Sequence, residues 1–566
     1  MMNTRSAVFI PERLRFQPKQ LSIMLTVVAL ALWAVSITQA KLVLDDWGLI
    51  HSLPVTYFLG VGFLTIAASI LWLSKESHNF LMGFQLCFFI TMLWATPLLL
   101  GTTLVATRLE FGYYSNTQYI LSYFHLNIVT QWLHNWPGFS LFSAGLAEVI
   151  GLKNADTMLI CMPLIMQFLM VIPFFLFFRN LVNKNNYSWA ALWIFYLFDH
   201  VGTLYFGNQA IAYFLLFIVF AMLLQYYDRA NNEGSASCQI VIVILLSGLA
   251  VTHLLTALCC LFVIATLWIF RKYRVGTLLM LFGSVIAAWT VFVTTGYFEG
   301  YTPKVLDNFF RIDRLFQVNV SRLINQGSAI HKIVAKIRTG ITVLAGGIGF
   351  GGFLLSRKFK SDSNLTAITI AGGILLMLPF GFYSGEMITR TYLFILPVLV
   401  FFGVKLLKTK IIACLFIILL IVTIPLSIVV IHGNEAVENI TSSQRSYWHF
   451  ITDKTTQGYF TGGGMIWGWS LEYAGEQYYD PVITAPPVQS AYSWRDAVYA
   501  GQWPPQGING YIALSAYEEA MYKITAGDNN FVPELRSWFN YSTNYNLIFN
   551  SGDVTAYMHE VIWASN

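Results

Sequence analysis

Acids and histidines are scarce in this chain, and those outside the long apolar runs gather at a few places. Asp45 and Asp46 follow the first run, and Glu110 lies near Arg108 in a stretch, 106–156, that also holds His125, His134 and Glu148. Asp199 and His200 precede Asn208 and Gln209, His253 interrupts the apolar stretch 239–270, and Glu386 and Arg390 stand one helical turn apart. A carboxylate beside a hydroxyl or amide can take its proton, and a guanidinium can hold a phosphate through two parallel hydrogen bonds. Each group also has a plainer reading. Asp45 and Asp46 suit the water boundary of a membrane span, Glu386 and Arg390 suit an intrahelical pair, and His253 suits buried carbonyls in a bent hairpin. His125 and His134 are nine apart, a spacing that suits hydrogen bonding better than metal ligation.

The elements that must position these groups are apolar helices. Of 566 residues, 56% are hydrophobic and only 11% charged, where a soluble protein carries about 25% charged residues. Repeated apolar runs near span length predict a polytopic α-helical membrane protein, at 20–40, 54–73, 80–105, 157–178, 188–204, 209–227, 239–254, 256–270, 276–296, 339–355, 364–383, 391–404 and 411–431. A single helix over 239–270 would be about 48 Å long against a hydrocarbon core of about 30 Å, so this stretch is read as two helices turning at Thr252-His253. Thirteen spans place the N-terminus in the cytoplasm and residues 432–566 outside. The inner segments then hold seventeen Lys/Arg and the outer loops eleven, seven of those in the loop 297–338. That distribution fits the positive-inside rule and a multi-pass protein of the plasma membrane. The exceptional loop carries Lys304, Arg311, Arg314, Arg322, Lys332, Lys336 and Arg338 among phenylalanines. It reads either as a basic amphipathic helix on lipid headgroups or as an outer surface for phosphate or pyrophosphate; the two are compatible.

Two parts follow: a membrane domain, 1–431, with outer loops 106–156 and 297–338, and an extracytoplasmic α/β domain, 432–566, rich in Tyr, Trp, Gly, Asn and Pro. Tyr545–Asn550 and Val554–His559, joined by Ser551-Gly552-Asp553, read as a hairpin. The six cysteines lie in or beside apolar segments, so disulfides do not hold the terminal domain.

Absent motifs narrow the chemistry. There is no GxxxxGK[ST], no GxGxxG between strand and helix, no HExxH and no GxSxG, so no nucleotide cofactor is expected and nothing points to nucleic acid. An enzyme of this kind needs an activated, lipid-borne substrate, and a polyprenyl-phosphate sugar meets that need. Its leaving phosphate calls for cations or a divalent metal such as Mg or Mn, and its acceptor calls for a carboxylate base.

Four motifs carry a resemblance: His134-Asn135-Trp136-Pro137-Gly138-Phe139, Phe206-Gly207-Asn208-Gln209-Ala210, Thr252-His253-Leu254-Leu255-Thr256 and Arg390-Thr391-Tyr392-Leu393-Phe394. In their order the chain resembles the GT-C superfamily of polytopic glycosyltransferases, which includes oligosaccharyltransferases and dolichyl-phosphate-sugar mannosyltransferases. The resemblance implies an outer-face site, a catalytic acid in an early outer loop and a lipid-phosphate donor, with a glycan, lipid or protein as acceptor. Glu110, Asp46 or Asp45 is then the acid, with Glu110 or Asp46 as ligand if a metal takes part. Arg311, Arg314 or Arg390 would hold phosphate, and His125, His134, Asp199, His200, His253 and Glu386 are substrate-binding candidates. The chain departs from the family pattern at Asn116, where related chains place an Asp after paired tyrosines, and it lacks a WWDYG-type motif; Trp467-Gly468-Trp469 is a poor substitute. Two other readings stay open. A transporter or flippase of lipid-linked saccharide predicts inverted repeats or Gly/Pro-broken helices in two halves, which the sequence does not show. A non-catalytic scaffold of an envelope glycan-assembly complex would accommodate Asn116.

Overall fold

The computed structural model describes residues 17–102, 108–126, 132–201, 205–226, 236–271, 273–296, 327–356, 361–380, 387–433, 441–454, 458–462, 478–479, 488–504 and 509–559, together with Phe298, Arg311 and Asn325. It is mostly helical, with a small sheet near the C-terminus. Among the described residues ten helices are long and apolar enough to cross a membrane: α1 (Pro18–Gln39), α2 (Val55–Trp72), α3 (Asn79–Leu99), and, after α4 (Arg108–Tyr123) and α5 (Gly138–Ile150), α6 (Asp156–Val182). Between α6 and the next of them, α8 (Asn208–Tyr226), comes the shorter α7 (Asn185–Phe198). The shorter α9 (Ala236–Thr252) precedes α10 (Leu254–Arg271), and the shorter α11 (Gly276–Phe292) precedes α12 (Ala329–Leu354). The remaining three begin at α13 (Asp362–Leu375), α14 (Met387–Gly403) and α15 (Lys410–His432).

Lipid-facing surfaces follow from exposed branched side chains that a water-facing helix would not carry: Val27 on α1 is 59% exposed, Ile411 and Val422 on α15 75% and 62%, in keeping with a hydrocarbon solvent. Helix ends are set by local chemistry. Asn183 (φ 53°) and Gly151 (φ 73°) close α6 and α5 in the left-handed region, and the Ser328 side chain accepts the His331 N–H to open α12.

Polar contacts sort the helix ends into two groups, which establishes the threading. At one end Asn186 Nδ2 donates to the carbonyls of Leu71, Ser74 and Glu76 at 3.0 Å each, Trp189 bonds to Asn79 at 3.1 Å, Arg271 pairs with Asp362, and Lys405 donates to Asn364. At the other, Leu49 N–H donates to the His432 carbonyl at 3.1 Å, Tyr392 hydroxyl to the Phe198 carbonyl at 2.9 Å, and Arg338 to the Val430 carbonyl at 3.3 Å. Lys75, Lys184, Lys408 and Lys410 belong to the first end by their place beside these residues.

Three expectations change. The stretch 106–156 is not a plain loop: its described parts fold as α4 and α5, because Tyr113, Tyr114, Ser115, Asn116 and Thr117 are buried and need helical backbone pairing once out of water. The run read as 80–105 leaves its helix at Leu99, and the helix read as 339–355 begins ten residues earlier, so Lys332, Lys336 and Arg338 ride on α12 rather than in a loop.

After α15 the chain carries α16 (Ser442–Lys454), β1 (Gly458–Gly462), β2 (Tyr478–Tyr479), α17 (Val488–Tyr499), β3 (Asn509–Ser515), α18 (Ala516–Met521), α19 (Phe531–Tyr541), β4 (Asn546–Asn550) and β5 (Val554–His559). The sheet order is β2-β1-β3-β5-β4, parallel across β2-β1-β3 and antiparallel across β3-β5-β4. The terminal hairpin is present as expected. Lys523 reaches back to Asp46 at 2.8 Å, and Ser328 N–H donates to the Ile524 carbonyl at 2.8 Å, so this part rests on the second end of the bundle.

Candidate functional site

The second end of the bundle holds a polar knot made by segments far apart in sequence. Glu110 on α4 is fully buried, and its Oε1 accepts the backbone N–H of Phe206 at 3.2 Å. Two residues on, Asn208 Nδ2 donates to the Trp136 carbonyl at 2.8 Å, and the Asn135 carbonyl accepts the Trp289 indole N–H at 2.9 Å. Arg390 Nη1 donates to Gln209 Oε1. Phe139 packs edge-on against Phe206 with ring centroids 4.7 Å apart. A Cβ on Gly138 would lie 2.3 Å from Thr252 Oγ1 and 3.0 Å from its Cα, and one on Gly207 would lie 2.4 Å from the Tyr205 ring and 2.8 Å from the Tyr113 ring. These two glycines are what allow α5, the 205–208 turn and the α9–α10 break to approach so closely.

The break itself is one residue wide. His253 N–H still donates to the Leu249 carbonyl at 3.1 Å and its carbonyl accepts Ala257 N–H at 3.0 Å, while its Nδ1 receives the Thr256 hydroxyl at 2.8 Å. Within the knot several buried polar atoms have no hydrogen-bond partner among the described residues: Asn116 Nδ2, Asn208 Oδ1 and Gln209 Nε2. Such atoms are costly unless a ligand or water meets them.

A second group adjoins through Tyr392, two residues beyond Arg390. The His200 imidazole stacks on the Tyr392 ring at 4.9 Å and its Nε2 bonds to Thr342 Oγ1 at 2.9 Å. Asp199 is buried and accepts Val201 N–H at 3.3 Å. On the surface of α4, His125 and His134 meet at one ring: Tyr119 OH bonds to His125 Nε2 at 2.7 Å, and the buried His134 ring lies 5.2 Å from that of Tyr119. Their nine-residue spacing concealed that meeting.

Asp45 and Asp46 open a tight turn. Gly48 N–H donates to the Asp45 carbonyl at 2.8 Å with Gly48 at φ 62°. Asp45 Oδ1 accepts Trp47 N–H at 2.8 Å, and Oδ2 meets His51 Nδ1 at 2.6 Å. Both Asp45 oxygens are thus occupied. Asp46 instead faces Lys523 and keeps 22% of its side chain exposed. Among the described residues no hydrogen bond or ion pair joins Asp46 to the Glu110–Arg390 knot. Arg311 is exposed; Arg314 and Glu386 lie outside the described residues.

No three His, Cys, Asp or Glu side chains among the described residues come together as metal ligands. Glu110 is sealed in protein against Phe206, each Asp45 oxygen already accepts one hydrogen bond, from Trp47 or His51, and Asp46 faces an ammonium, so these three do not come together as a ligand set. Sequence reasoning missed the groups that tie the site to its surroundings: Tyr114 OH donates to Asp156 Oδ1 at 2.6 Å, and His449 lies 3.8 Å from Asp156 Oδ2. The one sequence signal was Asp156 at the start of α6, where a helix N-terminus favours an anion.

No family model and no curated protein matches the chain. Among solved structures it is similar to ArnT from Cupriavidus metallidurans bound to undecaprenyl phosphate, at 11% identity and a TM-score of 0.49 over 86% of this chain and 98% of that one. It is also similar to the Archaeoglobus fulgidus oligosaccharyltransferase in complex with zinc and sulfate, at 12% identity and a TM-score of 0.48 over 84% and 72% of the two chains. The same oligosaccharyltransferase tethered to an acceptor peptide containing an NVT sequon gives 10% identity and a TM-score of 0.47.

Proposed function

We propose that this protein is a membrane glycosyltransferase of the GT-C type, moving a sugar from a polyprenyl-phosphate donor to an acceptor at the non-cytoplasmic face. The observation that carries the reading is the meeting of 134–139, 206–210, 252–256 and 390–394 in one buried knot that leaves polar atoms unspent. A knot of that kind at the end of a lipid-facing bundle suits a substrate with a polar head and an apolar tail. Ionisable groups at this depth are costly and are kept for function or for positioning.

In this reading Asp46 is the general base. It is partly open, and Lys523 Nζ lies 2.8 Å from its Oδ1 and orients it. Its carboxylate takes the proton of the acceptor hydroxyl or amide, the freed lone pair attacks the anomeric carbon, and the bond from that carbon to the phosphate oxygen breaks. The leaving lipid phosphate carries away the electron pair, and the cations Arg390, Arg338 and Arg311 are candidates to offset its charge. Glu110 serves by holding the 206–209 turn in place, with Asn208 and Gln209 presenting amide groups to the substrate. His200 and His253 are substrate-binding residues in this reading.

Purified protein in lipid nanodiscs, supplied with radiolabelled polyprenyl-phosphate hexoses and a lipid and glycan acceptor pool, tests this. Release of free polyprenyl phosphate with label moved to the acceptor is expected. Absence of release from every donor, with the protein folded, contradicts it.

A further inference from the structure

Helices α17 and α19 place two short rows of side chains next to each other on the surface of the C-terminal part. Arg495 and Tyr499 are one turn apart on α17, and Glu534 and Trp538 are one turn apart on α19. The rows meet where the Tyr499 and Trp538 rings approach to 4.8 Å between centroids at 37°. Behind them Trp538 packs on Phe539 at 5.1 Å and on Tyr545 at 5.8 Å, so the indole is held from the rear. In front, Tyr499 is 38% exposed, Trp538 is half-buried, and Asp496 and Glu534 are open to solvent. The Arg495 guanidinium lies over Tyr492 at 5.0 Å and Tyr499 at 5.8 Å while donating to Asp496 Oδ1 at 3.2 Å. Among the described residues the Trp538 indole N–H has no hydrogen-bond partner.

A structural role explains the rear of this cluster but not its front. Core aromatics bury their polar ends or bond them, whereas here a rigid ring pair remains open, with an unspent donor and three charged groups at its edge. The two rings overlap one another, so the exposed face of Tyr499 is what matches the flat, C–H-bearing face of a pyranose, whose weakly positive hydrogens meet the negative ring face. The hydroxyls of the same sugar then find carboxylate acceptors in Asp496 and Glu534 and donors in Trp538 and Arg495. Two carboxylates against one guanidinium disfavour an acidic sugar. We infer that the Tyr499–Trp538 pair, edged by Arg495, Asp496 and Glu534, is a binding shelf for an uncharged saccharide, the acceptor glycan of the transfer proposed above. The inference rests on that reading for the word acceptor, and on the shelf alone for the binding.

Saturation-transfer NMR on the full chain in nanodiscs tests it, with trimers of mannose, glucose and N-acetylglucosamine as probes, a glucuronic acid trimer as the acidic control, and no lipid donor present. The expected result is transfer from aromatic protons to the ring C–H protons of at least one neutral trimer and none to the acidic one. Tyr499→Ala and Trp538→Ala should each weaken the signal at least tenfold, and Tyr499→Phe should keep it. Because Trp538→Ala can disturb folding, the exposed Tyr499→Ala decides if the other is unstable. No binding of any neutral trimer, or binding unchanged in Tyr499→Ala, overturns the shelf. Binding without sugar transfer in the donor assay retains the shelf and removes the enzyme reading; transfer without binding does the reverse.

Discussion

The Glu110 carboxylate accepts the backbone N–H of Phe206 at 3.2 Å, joining α4 to the turn before α8. In the proposed reading this fully buried carboxylate positions the 206–209 turn, and the bond has a consequence. Glu110→Ala leaves that N–H unpaired in protein and costs about 1–3 kcal/mol, read as a fall in thermal midpoint in detergent. Glu110→Gln keeps an oxygen at the same place and should hold most of the stability. If Glu110 were instead the base, Glu110→Gln would keep the midpoint and lose turnover.

Gly138 is the closest approach between α5 and the α9–α10 break. A methyl group there meets Thr252 at 2.3 Å and must push the two segments apart. Overpacking of this kind costs about 1–3 kcal/mol. Gly138→Ala should lower the thermal midpoint, and Thr252→Ala in the same chain should recover part of the loss because the obstructing Oγ1 is gone. An unchanged midpoint in Gly138→Ala contradicts the packing described.

At the top of α3, Pro97 brings no N–H to the helix and residues 91–95 widen into a π turn. His432 Nε2–H donates to the Leu93 carbonyl at 3.0 Å, and Tyr57 OH donates to the Met92 carbonyl at 2.8 Å. Removing one such bond costs about 1 kcal/mol. His432→Phe should therefore destabilise modestly, and His432→Gln, which keeps a donor, should do so less. Hydrogen exchange at residues 93–99 should rise in the first variant and stay near wild type in the second.

How far the sequence reached depends on the range of each interaction. The spans were legible because lipid demands a long run of apolar side chains, and that is a local property. The break at His253 followed from the length of the run and from the charge of Arg271, Lys272 and Arg274 after it. The hairpin over 546–559 followed from alternation around Ser551-Gly552-Asp553. Helix α4 was not legible: Tyr113, Tyr114, Ser115, Asn116 and Thr117 are poor helix formers in water, and burial against Phe139 and Phe206 overrides that preference. The first turns of α12 were hidden for a related reason, since Lys332, Lys336 and Arg338 suggested a loop when their stems lie along a helix. At the candidate site, the sequence singled out Glu110, Asn208, Gln209, His253 and Arg390 by type. It could not foresee that Phe206 N–H would occupy Glu110 or that Lys523 would face Asp46, because those partners are set by tertiary folding.

The ion pair between Asp46 and Lys523 is partly exposed, and such a pair contributes about 0–1 kcal/mol, so its removal separates stability from chemistry. A positioned base is worth about 100-fold to 10,000-fold in rate. The decisive measurement is the turnover number for transfer from a polyprenyl-phosphate sugar in Asp46→Asn, with the thermal midpoint taken on the same sample. A midpoint close to wild type with turnover down at least 100-fold is the predicted result. Undiminished turnover in Asp46→Asn would contradict the account.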